Sequence, residues 1–220
     1  MNLRFEVIWQ EVPQFAVGLW NTVWLCAVGT ALSLILGVVF LLPLMSQEKA
    51  IRLPAQALVD IARSIPFLML AYLVYYGLPS WGVTLDSWTT AVSTIAIYNT
   101  AYIAEILRGA WANLLPGQTE AARAYGFTGF ELLRRITLPQ IVLASAPVIG
   151  NQLIQVIKDS AFLSVITIPE LTFTARAVQA TYFVPFESFI VAAVLYWVLC
   201  LVIEYAIKQV EFMRKVYVKY

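Results

Sequence analysis

Long apolar runs dominate the chain, and short polar segments separate them. A membrane-spanning helix needs about 20 predominantly apolar residues, and the segments that meet this requirement lie at approximately 17–45, 56–79, 87–107, 137–157 and 187–208. The pattern therefore predicts an all-α integral membrane protein with five transmembrane helices in one transmembrane domain, 1–220. A further apolar stretch, 161–171, is interrupted by Pro169 and Glu170 and is interpreted as a re-entrant or peripheral segment buried against protein.

The composition agrees with a membrane protein. Hydrophobic residues make up 61% of the chain and charged residues only 12%, with a mean hydropathy of +0.79. Soluble domains carry about a quarter charged residues because their surface must be hydrated. The composition therefore excludes a soluble globule and makes membrane lipid the surrounding medium. The net charge of +1 comes without a basic run, so no nucleic-acid partner is expected.

The distribution of Lys and Arg predicts the orientation, because cytoplasmic loops carry an excess of basic residues. With the amino terminus outside and the carboxyl terminus inside, only Arg4, Lys158 and Arg176 fall on the external side. The other 11 of the 14 basic residues then lie on the cytoplasmic side. The loop 77–87 contains no basic residue, as expected for an external loop.

One polar region, 115–135, lies between the third and fourth predicted spans and is cytoplasmic in this orientation. After a Pro-Gly turn, Thr119 is predicted to cap a short helix with Glu120 in its first turn. Gly126 is placed to end that helix in a left-handed conformation. Thr128 and Glu131 have the spacing of a capping box and predict a second short helix that ends at Pro139.

These two helices have more apolar side chains than a solvated loop requires. From the residues alone, two interpretations stay open. The pair is either an interfacial linker that rests on lipid or a docking element for a cytosolic partner.

A motif in this region resembles the cytoplasmic loop signature of membrane subunits of bacterial ATP-binding-cassette (ABC) importers. The motif has the form Glu-Ala-Ala, three residues, Gly, nine residues, Ile, one residue, Leu-Pro. Seven residues meet it, namely Glu120, Ala121, Ala122, Gly126, Ile136, Leu138 and Pro139. Segments 62–79, 98–111 and 150–171 are similar to polar amino acid permeases of the histidine, glutamate and glutamine type.

This resemblance implies that 115–135 contains cytoplasmic coupling helices that sit in a cleft of a cytosolic ABC ATPase dimer. The coupling residues it implies are Glu120, Ala121, Ala122, Gly126, Leu138 and Pro139. It also implies a second permease subunit, identical or homologous, and an external (periplasmic) substrate-binding protein. The chain is then a multi-pass protein of the bacterial cytoplasmic (inner) membrane that carries a polar amino acid or a derivative.

The sequence gives no indication of chemistry on the chain itself. It contains no histidine and no Gly-x-x-x-x-Gly-Lys-[Ser/Thr] motif for ATP phosphates. We therefore expect no catalytic residues, no metal site and no cofactor on this chain, with ATP and Mg on the partner ATPase. The alternative function is a secondary transporter or channel subunit, but such carriers are often built from internal repeats, and no repeat is evident.

The end of the fourth span predicts a substrate pathway. Gln152, Gln155 and Asp159 recur at helical spacing, with Lys158 beside them, and Asn99 and Tyr102 lie on the third span. A polar face in a membrane helix must face protein or a water-filled path. An amino acid zwitterion needs an acid for its ammonium and donors for its carboxylate, and these residues supply both. The alternative of hydrogen bonding that only packs helices together stays open.

Overall fold

The computed structural model describes residues 3–217, and the remaining residues of the predicted domain, 1, 2 and 218–220, lie outside the described range. Within that range the chain folds into α-helices joined by short turns. The helices are α1 (Phe5–Gln10), α2 (Val12–Leu44), α3 (Lys49–Ser64), α4 (Phe67–Tyr72), α5 (Ser87–Ala112), α6 (Pro116–Ala124), α7 (Gly129–Leu132), α8 (Leu138–Ser160), α9 (Leu171–Tyr182) and α10 (Pro185–Tyr217).

Among the described residues, three helical stretches are long and apolar enough to cross a membrane: Val12–Leu44, Gly129–Ile166 and Pro185–Val210. A fourth candidate is the broken pair Lys49–Ser64 and Phe67–Trp81. Helix α5, which corresponds to the predicted third span, is not among these candidates. The all-α class is therefore confirmed, whereas the number of five spans and their orientation stay predictions.

The predicted second span, 56–79, contains a bend of 102° between α3 and the helical stretch Phe67–Trp81. The bend lies at Ile65 and Pro66, where Ile65 adopts an extended conformation (φ −84°, ψ 130°). The ring of a proline disfavours the α conformation in the residue before it. Pro66 therefore ends α3 and redirects the chain.

Helix α5 lies at the centre of the structure, in contact with α2, α3 and α8. Its closest approach to α2 occurs at two glycines. A Cβ atom at Gly29 would lie 2.4 Å from Ile95 Cγ2, and one at Gly37 would lie 2.5 Å from Ile103 Cγ2. Small residues at such positions allow membrane helices to approach closely. Glycine therefore sets the distance between these two helices.

The helical stretch that contains the predicted fourth span begins before Pro139. The prediction that a second loop helix ends at this proline was wrong, because helical structure continues from Gly129 to Ile166. A π-helical turn, Leu133–Thr137, precedes α8, and Pro139 occupies the first turn of α8. Proline is tolerated inside a membrane helix where a local π adjustment and neighbouring groups satisfy the carbonyl that its missing N–H group leaves unpaired.

The segment 161–171 packs against protein, as predicted. Its apolar side chains Leu163, Ile166, Ile168 and Leu171 have no exposed surface. The segment consists of a 3₁₀ turn, Ala161–Ile166, and a connection to α9. Whether it enters the membrane stays a prediction.

Candidate functional site

Helix α6, the first helix of the coupling loop (115–135), begins earlier than predicted. Leu115 precedes the first helical residue, Pro116, so the prediction of Thr119 as the N-cap was wrong. Proline suits the first helical position because its fixed φ is already helical. Glu120 therefore lies in the second turn, where the helix dipole has little effect on it. Its side chain is exposed, and no described residue forms an ion pair or a hydrogen bond with its carboxylate.

Gly126 ends α6 as predicted, with a left-handed backbone (φ +89°). The amide of Phe127 donates to the carbonyl of Ala122 (3.1 Å), and the amide of Gly126 donates to that of Arg123 (2.9 Å). These two bonds form a Schellman motif, which satisfies the last carbonyls of a helix. The glycine thus determines the angle at which the chain leaves α6.

Helix α7 starts at the predicted place, but without the predicted capping bond. Thr128 has an extended backbone at the N-cap, yet its side chain makes no hydrogen bond there. Glu131 instead pairs with Arg135, with a nitrogen–oxygen distance of 3.4 Å. An exposed pair of this kind contributes little to stability.

The coupling loop presents an unusual surface. Ala122 is buried where α6 packs against α7 and the following π turn, whereas Ala121 is exposed. Two aromatic side chains are almost fully exposed, Tyr125 at 86% and Phe130 at 70%. Exposed aromatic surface of this kind marks a contact with lipid or with another protein.

The two remaining residues of the predicted coupling set lie at the start of α8. Leu138 is half-buried, in a cluster that includes Leu41 and Ile141, whereas Pro139 is exposed. Both lie on the continuous helical stretch Gly129–Ile166, and the turn at Gly126 separates this stretch from α6.

Two of the predicted pathway residues, Asn99 and Gln152, meet in the structure. The amide Nε2 of Gln152 on α8 donates to Oδ1 of Asn99 on α5 at 2.7 Å. Asn99 is buried and donates its own Nδ2 to the carbonyl of Ile95 at 3.0 Å. We call the set Asn99, Tyr102, Gln152, Gln155 and Asp159 the polar seam.

Asp159 lies inside the protein, 6% exposed, and accepts a hydrogen bond from Nε2 of Gln155 at 2.9 Å. No basic side chain of the described residues forms an ion pair with it. Lys158 lies on another side of α8, where Asn151, Gln155 and Lys158 form an exposed stripe. The acid and the base of the predicted pathway therefore point in different directions.

Tyr102 connects the polar seam to the bend in the second span. Its hydroxyl donates to the carbonyl of Arg63 (3.3 Å) and lies 3.1 Å from the hydroxyl of Tyr98. The guanidinium of Arg63 lies 5.5 Å from the centre of the Tyr102 ring. Nη1 of Arg63 also lies 4.0 Å from Oε1 of Glu105 and 4.0 Å from Oδ1 of Asp60.

The prediction from sequence missed Glu170 as a structural centre. This acid is completely buried and caps α9, accepting the amides of Thr172 (2.8 Å) and Phe173 (2.7 Å). The hydroxyl of Tyr196 on α10 also donates to it. An acidic residue just before an amphipathic stretch is an N-cap signal. Glu170, directly before α9, is such a residue, so the sequence did contain an indication of this cap.

The structure offers no obvious metal centre. Within residues 3–217, no three His, Cys, Asp or Glu side chains gather in an arrangement that would hold a metal ion.

The chain is similar to known membrane transport proteins. The family described as "Binding-protein-dependent transport system inner membrane component" matches residues 29–213. The glutamine transport system permease protein GlnP of Escherichia coli (strain K12) is 30% identical over 218 residues, which are 98% of this chain and 100% of the relative. The arginine transport system permease protein ArtQ of Bacillus subtilis (strain 168) is 31% identical over 212 residues, 96% of this chain and 97% of the relative.

A solved structure has the same fold. The protein described as "Crystal structure of an amino acid ABC transporter with histidines" aligns with a TM-score of 0.87 and 32% identity, over 98% of this chain and 99% of that chain. These relatives are transport permeases and an ABC transporter. The alternative of a secondary transporter or channel subunit therefore gains no support.

Proposed function

The chain belongs to the family of inner membrane components of binding-protein-dependent transport systems, and we propose that its polar seam conducts a polar amino acid. The named substrates of the relatives GlnP and ArtQ, glutamine and arginine, support this class of substrate. The individual amino acid or derivative is not specified by the residues of the seam.

The observation that carries this proposal is the pair of hydrogen bonds in the seam, Gln152 to Asn99 and Gln155 to Asp159. Polar side chains at membrane depth are costly and mark pathways or interhelical contacts. No basic side chain of the described residues lies within ion-pair distance of Asp159, so its carboxylate is suited to a substrate ammonium. The amides of the seam supply donors for the polar groups of the substrate.

The proposal includes five spans, with the amino terminus outside and the carboxyl terminus inside. Helix α5 is then the third span despite its moderate hydropathy. Twelve of its residues are buried, including Thr94, Ile95 and Asn99. A helix that faces protein on most sides needs less apolar surface than one that faces lipid. The stretch Phe67–Trp81 with α3 forms the second, broken span.

The coupling loop is proposed to dock on a cytosolic ABC ATPase dimer that binds ATP and Mg. Glu120 presents a carboxylate without a partner in the described part of the chain, and Tyr125 and Phe130 present aromatic surface. Aromatic side chains are enriched at protein interfaces. The continuous helix from Gly129 into the fourth span then carries the movement of the ATPase to Asp159.

A second permease subunit, identical or homologous, is proposed to cover the stripe of Asn151, Gln155 and Lys158. These side chains are exposed on a helix that is long and apolar enough to span the membrane. Lipid would leave the polar groups of Asn151 and Lys158 without hydrogen bonds, whereas a facing subunit or a water-filled pathway satisfies them. The proposal also includes an external substrate-binding protein that delivers the amino acid, and the family description "Binding-protein-dependent transport system" supports it.

The experiment uses the assembled transporter in proteoliposomes and the substitution Asp159→Asn. We expect normal complex yield and normal ATPase binding, because asparagine has nearly the same size and shape as aspartate. ATP-dependent import should fall sharply, because an amide cannot neutralise the ammonium of the substrate. Glu204→Gln is the matched control, since Glu204 also lies on a spanning helix but already pairs with Lys208 at 2.7 Å.

Two outcomes oppose the assignment. If the Asp159→Asn complex assembles and imports normally, Asp159 has no part in the pathway. If assembly fails first and residual import follows the amount of complex that survives, the seam only packs the helices together.

A further inference from the structure

A second polar concavity lies between the 3₁₀ turn Ala161–Ile166 and helix α9, outside the polar seam. Its volume is about 440 Å³, and the side chains with polar groups that line it are Ser164, Thr167, Arg176 and Gln179. Small-molecule sites typically occupy 300–1,000 Å³, so the cavity is large enough for an amino acid. In the proposed orientation it opens on the external side of the membrane.

The backbone at Thr167 is unusual. This residue ends the 3₁₀ turn in a left-handed conformation (φ 65°, ψ 23°), with its amide 3.2 Å from the carbonyl of Ser164. A left-handed backbone is an outlier for a β-branched residue, and glycine would form the same turn without strain. Phe183, at the end of α9, is the other non-glycine residue with a positive φ (57°) among the described residues. Strained residues cluster at functional sites, and Thr167 is the one of the two that lines the cavity.

Arg176 gives the cavity its charge. It is the only basic residue in the lining, which contains no Asp or Glu among the described residues. Its side chain is exposed, and no described acid forms an ion pair with it. A guanidinium presents its donors in a planar fork that matches a carboxylate. The cavity is therefore suited to an anion with two oxygens.

The neighbouring side chains complete this environment. Ser164 donates its hydroxyl to the carbonyl of Ala161 (2.9 Å), and Gln179 adds amide donors at the same cavity. Phe173 and two alanines, Ala177 and Ala180, form an apolar wall. A few polar groups in an apolar concavity are typical of a site for a small molecule.

We propose that this cavity is an outer binding site for the α-carboxylate of the amino acid substrate, with Arg176 as its anchor and Thr167 as a hydroxyl donor. The proposal rests on the proposed function. It assigns the two charged ends of the zwitterion to different places, because the cavity supplies a cation and the polar seam supplies the acid Asp159. The substrate is bound by its carboxylate on arrival and by its ammonium deeper in the protein.

The first experiment measures binding to the assembled transporter in lipid nanodiscs without the binding protein. Saturation-transfer NMR is recorded with L-glutamine and with L-glutaminamide, which lacks the α-carboxylate. The native complex should give a signal for L-glutamine about tenfold above that for the amide, because hydrogen bonds to charged groups are the strong ones. Arg176→Gln should remove this difference, and the control Arg4→Gln, an arginine that does not line the cavity, should keep it.

Thr167→Gly provides a second variant that is not expected to impair folding. It relieves the left-handed strain, so the melting temperature should stay the same or rise, while the L-glutamine signal falls. A structural role for Thr167 predicts a native signal instead, and that result would overturn its assignment. Equal native signals for L-glutamine and its amide would overturn the whole site.

An import assay separates this proposal from the proposed function. If native proteoliposomes show no ATP-dependent import of any polar amino acid, the proposed function fails. If native proteoliposomes import an amino acid, and import by the Arg176→Gln variant saturates at the same substrate concentration as native import, only the outer site fails. The substrate-free binding protein could also bind the Arg176→Gln transporter more weakly than the native one. If that loss of binding equals the variant's loss of import, Arg176 is a contact for the binding protein and the proposal is overturned.

Discussion

The side chain of Gln152 on α8 donates to the side chain of Asn99 on α5, with 2.7 Å between Nε2 and Oδ1. This bond joins two helices that are separated in sequence by the coupling loop. Asn99 is buried, so its oxygen has no access to water when the donor is removed. The two residues therefore act as one unit.

Substitution of either partner tests this unit. Gln152→Leu and Asn99→Leu should each destabilise the protein, and the double variant should cost less than the sum of the two. The expected coupling is about 0.6 kcal/mol and at most about 1.7 kcal/mol, the range of interhelical hydrogen bonds in membranes. Thermal unfolding in detergent measures it, with Gln14→Leu, at an exposed position on α2, as the control. Strict additivity would contradict the bond.

Gly29→Ala should destabilise the contact between α2 and α5. The new Cβ would lie 2.4 Å from Ile95 Cγ2 and 2.8 Å from Ile95 Cβ, which a flexible side-chain end cannot relieve. Overpacking of this kind costs about 1–3 kcal/mol, and it should appear as a lower melting temperature. Gly109→Ala is the control, because a Cβ there meets no atom within 4 Å. A native melting temperature for Gly29→Ala would show that the helices separate freely.

Gly126→Val should weaken coupling to the ATPase while leaving the protein inserted. The left-handed backbone at φ +89° costs a β-branched residue roughly 1–2 kcal/mol. The Schellman turn should therefore open and α6 change its angle. Substrate-stimulated ATP hydrolysis measures the effect, and Gly117→Ala in α6, where a Cβ meets nothing within 4 Å, is the control. Native stimulation in Gly126→Val would remove the turn from the coupling mechanism.

Glu120→Lys should have the same effect on ATP hydrolysis without an effect on folding. Glu120 lies in the second turn of α6 and is exposed, so reversing its charge changes the surface and not the helix. Purified complexes should melt at the native temperature and bind less ATPase. A lower melting temperature with native ATPase binding would assign Glu120 to the fold of the loop.

The start of α5 should be sensitive to acid. The hydroxyl and the amide of Thr89 both donate to the carboxylate of Asp86, and these bonds lower the pKa of Asp86, the hydroxyl having the larger effect. Its stabilisation of the helix is therefore present above the unfolded pKa of about 3.9 and is lost as the pH falls through the lower folded pKa. At low pH, amide hydrogen exchange in the first turn of α5 should be faster in the native protein than in the Asp86→Asn variant. The asparagine side chain also caps the helix, but it does not change its charge with pH. Equal exchange of the two proteins at low pH would contradict this.

Local signals determined the helices themselves. Long apolar runs require burial or lipid whatever their neighbours are, and they predicted α2, α8 and α10. Gly126 is also a local signal, because only a residue without Cβ adopts φ +89° freely. The family signature was readable for the same reason, since it lies within one short stretch of sequence.

Proline showed the limit of local signals. Pro66 and Pro139 are both preceded by helix-forming residues, yet Pro66 marks a bend of 102° and Pro139 marks none. The difference arises from the π turn before Pro139, which brings the proline into the first turn of α8. The presence of a proline in the sequence does not predict whether such a π turn precedes it.

The sequence by itself determined that this chain is helical and apolar and contains a polar loop, because these properties depend on composition and on short motifs of neighbouring residues. The tertiary structure decided which polar groups meet. Helical spacing placed Gln152, Gln155 and Asp159 on one side of α8, but the packing of α5 satisfied Gln152 with Asn99 and left Asp159 buried beside Gln155. It also brought Arg176 and Thr167 to one cavity. Contacts between distant segments depend on how helices approach one another, and that approach is set by side-chain volumes at positions such as Gly29 and Ile95.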